Sequence, residues 1–217
     1  MNNIDFTVII ATAGLLCSAP LAAADSNVTA GREFAWGENI GWLNWRDANG
    51  AVDGVLHCGS HLQGYIWAEN VGWINTGNGP QSGNMYTNAD SSDFGVNILP
   101  NGDLEGFAWG ENIGWINFDT SSAAPDQARY DSVAGRFRGY AWGENVGWIN
   151  LDDSDHWVCA IVGNINGDAA GVDTADLGLL LAEFGTVGPG GDVNCDGNVD
   201  TADLGLLLGN FSKSCLP

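Results

Sequence analysis

Through the middle of the chain, apolar and polar positions alternate with a period of two. In residues 139–151, Tyr140 and Trp142 alternate with Gly139 and Ala141. The run breaks at Gly143-Glu144-Asn145 and resumes as Val146-Gly147-Trp148-Ile149-Asn150-Leu151, rich in strand formers. Two such runs around a Gly/Asn break predict a β-hairpin, in which Gly and Asn supply the positive-φ conformations that the turn needs. The same frame occurs four times: FAWGENIGWLNW (34–45), GYIWAENVGWINT (64–76), GFAWGENIGWINF (106–118) and GYAWGENVGWINL (139–151), with the first tryptophans 31, 42 and 33 residues apart. Self-similarity of this kind means one structural unit used four times. A further strand is predicted at 95–98, before the turn Pro100-Asn101-Gly102, and another at 128–130, before Gly135. No stretch of this region has helical periodicity. The expected architecture is mainly β, an antiparallel β-meander of short strands folded as a rolled sheet, barrel-like sandwich or solenoid. A repeat domain spanning 25–158 is small for four propeller blades.

Two tryptophans, one Glu and two Asn recur at matching places in each copy, as in Trp109, Glu111, Asn112, Trp115 and Asn117. Two readings follow. In the structural one the indoles stack over glycines to form the core, while Glu and Asn tie the turn to backbone donors or indole N–H groups. In the functional one the indoles are sugar platforms, with Glu and Asn bonding hydroxyls. Repetition in every unit favours packing, and sugar contact is expected at the first tryptophan of each hairpin: Trp36, Trp67, Trp109 and Trp142. The motif resembles a Trp-rich repeat of exported bacterial proteins, a resemblance that brings no chemistry with it.

The pattern changes after residue 158. Residues 172–181 and 199–208 are the same ten letters, VDTADLGLLL, with a phenylalanine three positions later at Phe184 and Phe211. The spacing predicts two helices burying Leu177, Leu180, Leu204 and Leu207. Before the second block, Asp192, Asn194, Asp196, Asp200 and Asp203 occupy positions 1, 3, 5, 9 and 12 of a twelve-residue loop with Gly197 at position 6; Asn198 at position 7 would offer its backbone carbonyl. Calcium needs six to eight hard oxygen ligands, and this spacing wraps one chain around the ion.

This segment, residues 159–217, closely resembles a dockerin domain, the duplicated calcium-loop and helix module by which exported polysaccharide-degrading proteins attach to cohesin domains. The resemblance implies two calcium ions. One would be held by Asp192, Asn194, Asp196, Asn198, Asp200 and Asp203, the other by Asn164, Asn166, Asp168, Asp173 and Asp176. The first loop departs from the pattern by its opening Asn164 and by one extra residue between Asp168 and Asp173. The resemblance also implies a cohesin-type partner contacted through Thr174 and Ala175 in one half, Thr201 and Ala202 in the other.

Composition narrows the function classes. With 27 acidic side chains against 6 basic ones, a net charge of -21 and 32 glycines in 217 residues, binding to nucleic acid through a basic surface is excluded. An apolar fraction of 45% is too high for a disordered acidic chain. Residues 1–24 have the short apolar run and small-residue end of a secretory signal peptide, so a secreted, extracellular or cell-surface location is expected, without a membrane span. Cys58, Cys159, Cys195 and Cys215 then remain, an even number in a disulfide-permissive compartment. Cys159 and Cys215 flank the C-terminal segment, which favours a bridge between them, with Cys58 and Cys195 paired or free. His57, Cys58 and His61 lie close in sequence, but such groupings are more often incidental than metal-binding. With three histidines and no nucleophile–base arrangement, an enzyme is the less favoured class. The expectation is a secreted non-catalytic repeat protein attached through a calcium-dependent module to a cohesin-type partner, in polysaccharide binding or breakdown. The alternatives are a structural surface or filament-forming β-repeat protein and a glycoside hydrolase or its accessory.

Overall fold

The structure, a computed structural model, describes residues 26–46, 53–122 and 126–216. The signal peptide expected at 1–24 lies outside these residues. Along the described chain run β1 (Val28–Gly37), β2 (Gly41–Asn44), β3 (Val55–His57), β4 (Leu62–Ala68), β5 (Gly72–Gly77), β6 (Val96–Ile98), β7 (Leu104–Gly110), β8 (Gly114–Asn117), β9 (Arg129–Asp131), β10 (Arg136–Arg138), β11 (Tyr140–Gly143), β12 (Gly147–Asn150) and β13 (Val158–Ala160). Two helices follow, α1 (Thr174–Glu183) and α2 (Thr201–Gly209).

Each Trp-rich copy is one hairpin: β1–β2, β4–β5, β7–β8 and β11–β12. Adjacent hairpins pair antiparallel, β2 with β4, β5 with β7 and β8 with β11, and β12 returns to β1. The eight strands therefore close into an antiparallel barrel in which every strand is paired on both sides. A filament built by pairing open strand edges loses its premise for these eight strands.

Which face turns inward is decided by size. Ala35, Leu43, Ile66, Ile74, Ala108, Ile116, Ala141 and Ile149 fill the lumen, each at most 2% exposed. An eight-stranded barrel has room inside for side chains of about this bulk, and the alternate positions carry indoles too large to replace alanine there. The tryptophans of the hairpins consequently project outward, with Trp36, Trp42, Trp109, Trp115 and Trp142 between 37% and 40% exposed. The expectation that the repeated tryptophans form the core is thus corrected: the buried indoles are Trp45, just past the first repeat's second strand, and Trp157.

The two barrel ends are closed differently. At the turn end, Ile40, Ile113 and Val146 fold back under Gly37, Gly110 and Gly143, where a Cβ would come within 2.4 to 2.6 Å of them. Asparagines lock the same turns together. Asn70 Nδ2 donates to the Ile40 carbonyl, Asn112 to Val71, Asn145 to Ile113 and Asn39 to Val146, at 2.9 to 3.0 Å. Each turn is thereby tied to its neighbour, and the four bonds complete a ring. Trp45, Thr76, Phe118 and Leu151 stand at equivalent positions, each directly after the repeated asparagine of its hairpin, all buried, and Phe137 packs on Trp45 at 5.5 Å between ring centroids.

β13 pairs with both β1 and β10, so a boundary drawn between residues 158 and 159 cuts a strand, and the C-terminal segment leaves directly from the sheet. That segment is fastened to the barrel by two disulfides, Cys58–Cys195 and Cys159–Cys215, the second being the pairing favoured from sequence. Its core joins Leu180 and Leu207, both 0% exposed, to Val172, Val193, Val199 and Trp157, with Leu177 and Leu204 packed alongside.

Candidate functional site

The outer wall of the barrel is a band of aromatic pairs. Within each hairpin the two tryptophans stand directly across from one another, as Trp36–Trp42, Trp67–Trp73, Trp109–Trp115 and Trp142–Trp148. Their rings meet edge to face with centroids 4.7 to 4.9 Å apart, a favoured arrangement for aromatic pairs. Between hairpins the register sets each first tryptophan opposite the asparagine of the preceding hairpin: Trp67 opposite Asn44, Trp109 opposite Asn75, Trp142 opposite Asn117 and Trp36 opposite Asn150. These asparagines accept from the backbone N–H two residues on, at 2.7 to 3.1 Å, and so turn the chain out of the barrel. Glu38, Glu69, Glu111 and Glu144 stay exposed at the turn tips.

Two grooves run along these junctions. One, about 710 Å³, is lined by Tyr65, Trp67, Trp73, Asn75, Trp109 and Glu111 among others. The other, about 430 Å³, is lined by Phe34, Trp42, Asn44, Trp67, Glu69 and His156. Indole faces beside carboxylate and amide groups can stack on the apolar face of a sugar ring while accepting hydrogen bonds from its hydroxyls. The sequence reading placed contact on the first tryptophans alone. Trp42, Trp73, Trp115 and Trp148 share the same face, a relation readable from their equal distance from the turn centre.

In the C-terminal segment the candidate ligand residues are distributed over two loops that lead into α1 and α2. Asp173 and Asp200 cap the helix N-termini, each in a reciprocal capping box with Asp176 or Asp203. In the second loop the Asp192 carboxylate accepts from Asp196 and Gly197 N–H, and Asp203 accepts from Val193, Asn194 and Asp200 N–H. Asn194 donates to Asp196, which also accepts from Asn198 N–H. Among the described residues no three His, Cys, Asp or Glu side chains are gathered as a metal-holding group. Two observations nevertheless fit a cation. Burial, with the nearby Asp203 and Asp196 charges, pushes the Asp192 carboxyl above its ordinary range, a cost that a bound dication removes. In the first loop, Asn164 is fully buried with its amide nitrogen held by the Asp168 carbonyl, and its Oδ1 has no partner. Asn166 donates to Asp168 there, and burial raises the Asp176 carboxyl although N–H groups of Asp173 and Asn166 point at it. Thr174, Ala175, Thr201 and Ala202 are exposed on the first turns of the helices.

His57 and His61 serve the fold. His57 Nδ1 lies 2.9 Å from the Ala160 carbonyl and burial pushes its pKa down to about 4. His61 Nδ1 lies 3.1 Å from the Asn84 carbonyl, while Cys58 is committed to its disulfide. Among the described residues no helix is long and apolar enough to cross a membrane. Comparison of the chain with protein-family models, with curated proteins and with solved structures finds no match to any of them.

Proposed function

We propose that this is an exported, non-catalytic polysaccharide-binding protein, attached to a cohesin-type partner through its calcium-dependent, dockerin-like C-terminal segment. The observation that carries the reading is the outward projection of all eight hairpin tryptophans: a barrel that needed them for packing would bury them, and this one fills its lumen with Ala, Leu and Ile. Exposed indoles beside Asn and Glu are stacking and hydrogen-bonding groups at once.

On the docking side, Asp192, Asn194, Asp196, Asp200 and Asp203 would hold one calcium ion with the Asn198 carbonyl, and Asn164, Asn166, Asp168, Asp173 and Asp176 the other. The ion supplies charge neutralisation to crowded carboxylates and fixes the loop that starts each helix. Thr174 with Ala175, and Thr201 with Ala202, would present two equivalent contact surfaces, since the two ten-residue blocks are identical.

The test uses the full chain in two assays. In the first, co-sedimentation with insoluble polysaccharides should be retained in excess chelator and lost in a variant lacking the outward indoles Trp73 and Trp109. In the second, binding to a panel of recombinant cohesins should require calcium and disappear in Asp192→Ala. A chain that binds no polysaccharide, or whose cohesin binding ignores chelation, contradicts the corresponding half.

A further inference from the structure

We propose that the junctions are not equivalent, and that the groove between the second and third hairpins is a more open site than those on either side of it, accepting one chain of a neutral, hydroxyl-rich polysaccharide. This rests on the reading of the barrel as a polysaccharide binder and adds to it the groove and the chemical class of its occupant.

The second junction differs from those on either side of it in what already covers the indoles. At the first, the His156 ring lies on Trp42 with centroids 4.5 Å apart, and the groove there is reduced to about 430 Å³. At the third, Phe94 packs edge-on against Trp115 with centroids 5.1 Å apart. The second junction holds about 710 Å³, within the ~300–1,000 Å³ range of ligand-sized clefts. Its register sets Asn75 opposite Trp109 and Ile74 opposite Gly110. Trp73, two residues before Asn75, and Glu111, at the turn just past β7, line the same groove. The two indoles, Trp73 and Trp109, therefore lie on a diagonal across the junction. On such a sheet diagonal neighbours sit about 7–8 Å apart, so a chain can stack on both indoles in succession.

The occupant's charge follows from the donors and acceptors. Glu111 lines the groove at an exposed position, and an ionised carboxylate only accepts hydrogen bonds. It suits hydroxyl donors and repels uronate, sulfate or phosphate groups, as does the net charge of -21.

Affinity electrophoresis of the full-length protein through gels containing hydroxyethyl cellulose, konjac glucomannan or polygalacturonate tests the assignment, with each variant's melting temperature measured alongside. A neutral glycan should retard the wild type, and polygalacturonate should not. Trp109→Ala should weaken binding to the neutral glycan about tenfold or more, the size expected of a hot-spot contact, whereas Trp142→Ala at the third junction, where Phe94 already covers Trp115, should weaken it less. Glu111→Gln keeps shape and exposure, and should weaken binding several-fold at an unchanged melting temperature. If Trp109→Ala does not fold, Glu111→Gln decides: unaltered affinity overturns the groove assignment. Equal losses in Trp142→Ala and Trp109→Ala would also overturn it, and retardation by polygalacturonate would overturn the ligand class. Retardation by no glycan would instead refute the underlying reading of the barrel.

Discussion

His57 shows how one buried residue sets an acid limit. Its ring is fully buried and its pKa is pushed from 6.5 to about 4, chiefly by burial. The unfolded chain takes up a proton near pH 6.5 that the folded chain refuses until about pH 4. Above pH 6.5 the residue costs nothing. As pH falls through that window stability should drop by on the order of 3 kcal/mol, following about 1.4 kcal/mol per pKa unit. Urea denaturation between pH 7 and 4.5 should show this slope in the wild type and a flatter one in His57→Gln, which keeps a donor for the Ala160 carbonyl. Identical slopes would remove His57 as the cause. Nothing in the sequence around His57 signalled burial, because the contact comes from Ala160, more than a hundred residues away.

At the scale of the element, the hairpins were legible and their orientation was not. The alternation of the repeats, the Gly-Glu-Asn breaks and the extra strands near 95–98 and 128–130 all correspond to observed elements, since each depends on local backbone preference. Which face turns inward depends on closure. Both faces of each strand are apolar, one indole-rich and one rich in Ala and Ile, so a period of two cannot choose between them. Only the narrow lumen of an eight-stranded barrel does. Neighbouring positions on the β7–β8 hairpin test this. Ile116 is 2% exposed and Trp109 is 38% exposed. Ile116→Ala should therefore cost about 2–5 kcal/mol, while Trp109→Ala should lose mainly its edge-to-face contact with Trp115, about 0.5–1.5 kcal/mol. Equilibrium denaturation ranks the two, and a larger loss for Trp109→Ala would restore the tryptophans to a packing role.

For the whole molecule, the two C-terminal loops and the barrel are joined by a disulfide and by hydrogen bonds. The Cys159–Cys215 bridge was readable from sequence because the two cysteines flank the C-terminal segment. The docking of those loops onto the barrel was not, because it is made by non-local contacts. Cys195 sits inside the second loop and is bonded to Cys58 beside β3. Ala30 N–H donates to the Gly167 carbonyl, and the Arg46 guanidinium reaches the Asn166 and Val28 carbonyls. Calcium held by the loops should therefore stabilise the barrel as well, by about 2.7 kcal/mol at a hundredfold excess over its dissociation constant. Near-UV circular dichroism, which reads the tryptophans of the barrel, should show its melting midpoint rise with calcium. In Cys58→Ala/Cys195→Ala that rise should shrink while the far-UV helix signal still responds. A midpoint indifferent to calcium in the oxidised wild type would mean that barrel and loops unfold independently.

Acrylamide quenching of tryptophan fluorescence reports whether the outward indoles are a binding surface. Acrylamide is neutral, so the net charge of -21 does not exclude it, and it should reach the eight hairpin indoles in the free protein while sparing Trp45 and Trp157. Saturation with a soluble neutral glycan should shield part of the accessible population, and Trp109→Ala should abolish that protection. Quenching that is unchanged by any neutral polysaccharide, in a protein whose tryptophans are shown to be accessible, would mean that the outward indoles bind no glycan.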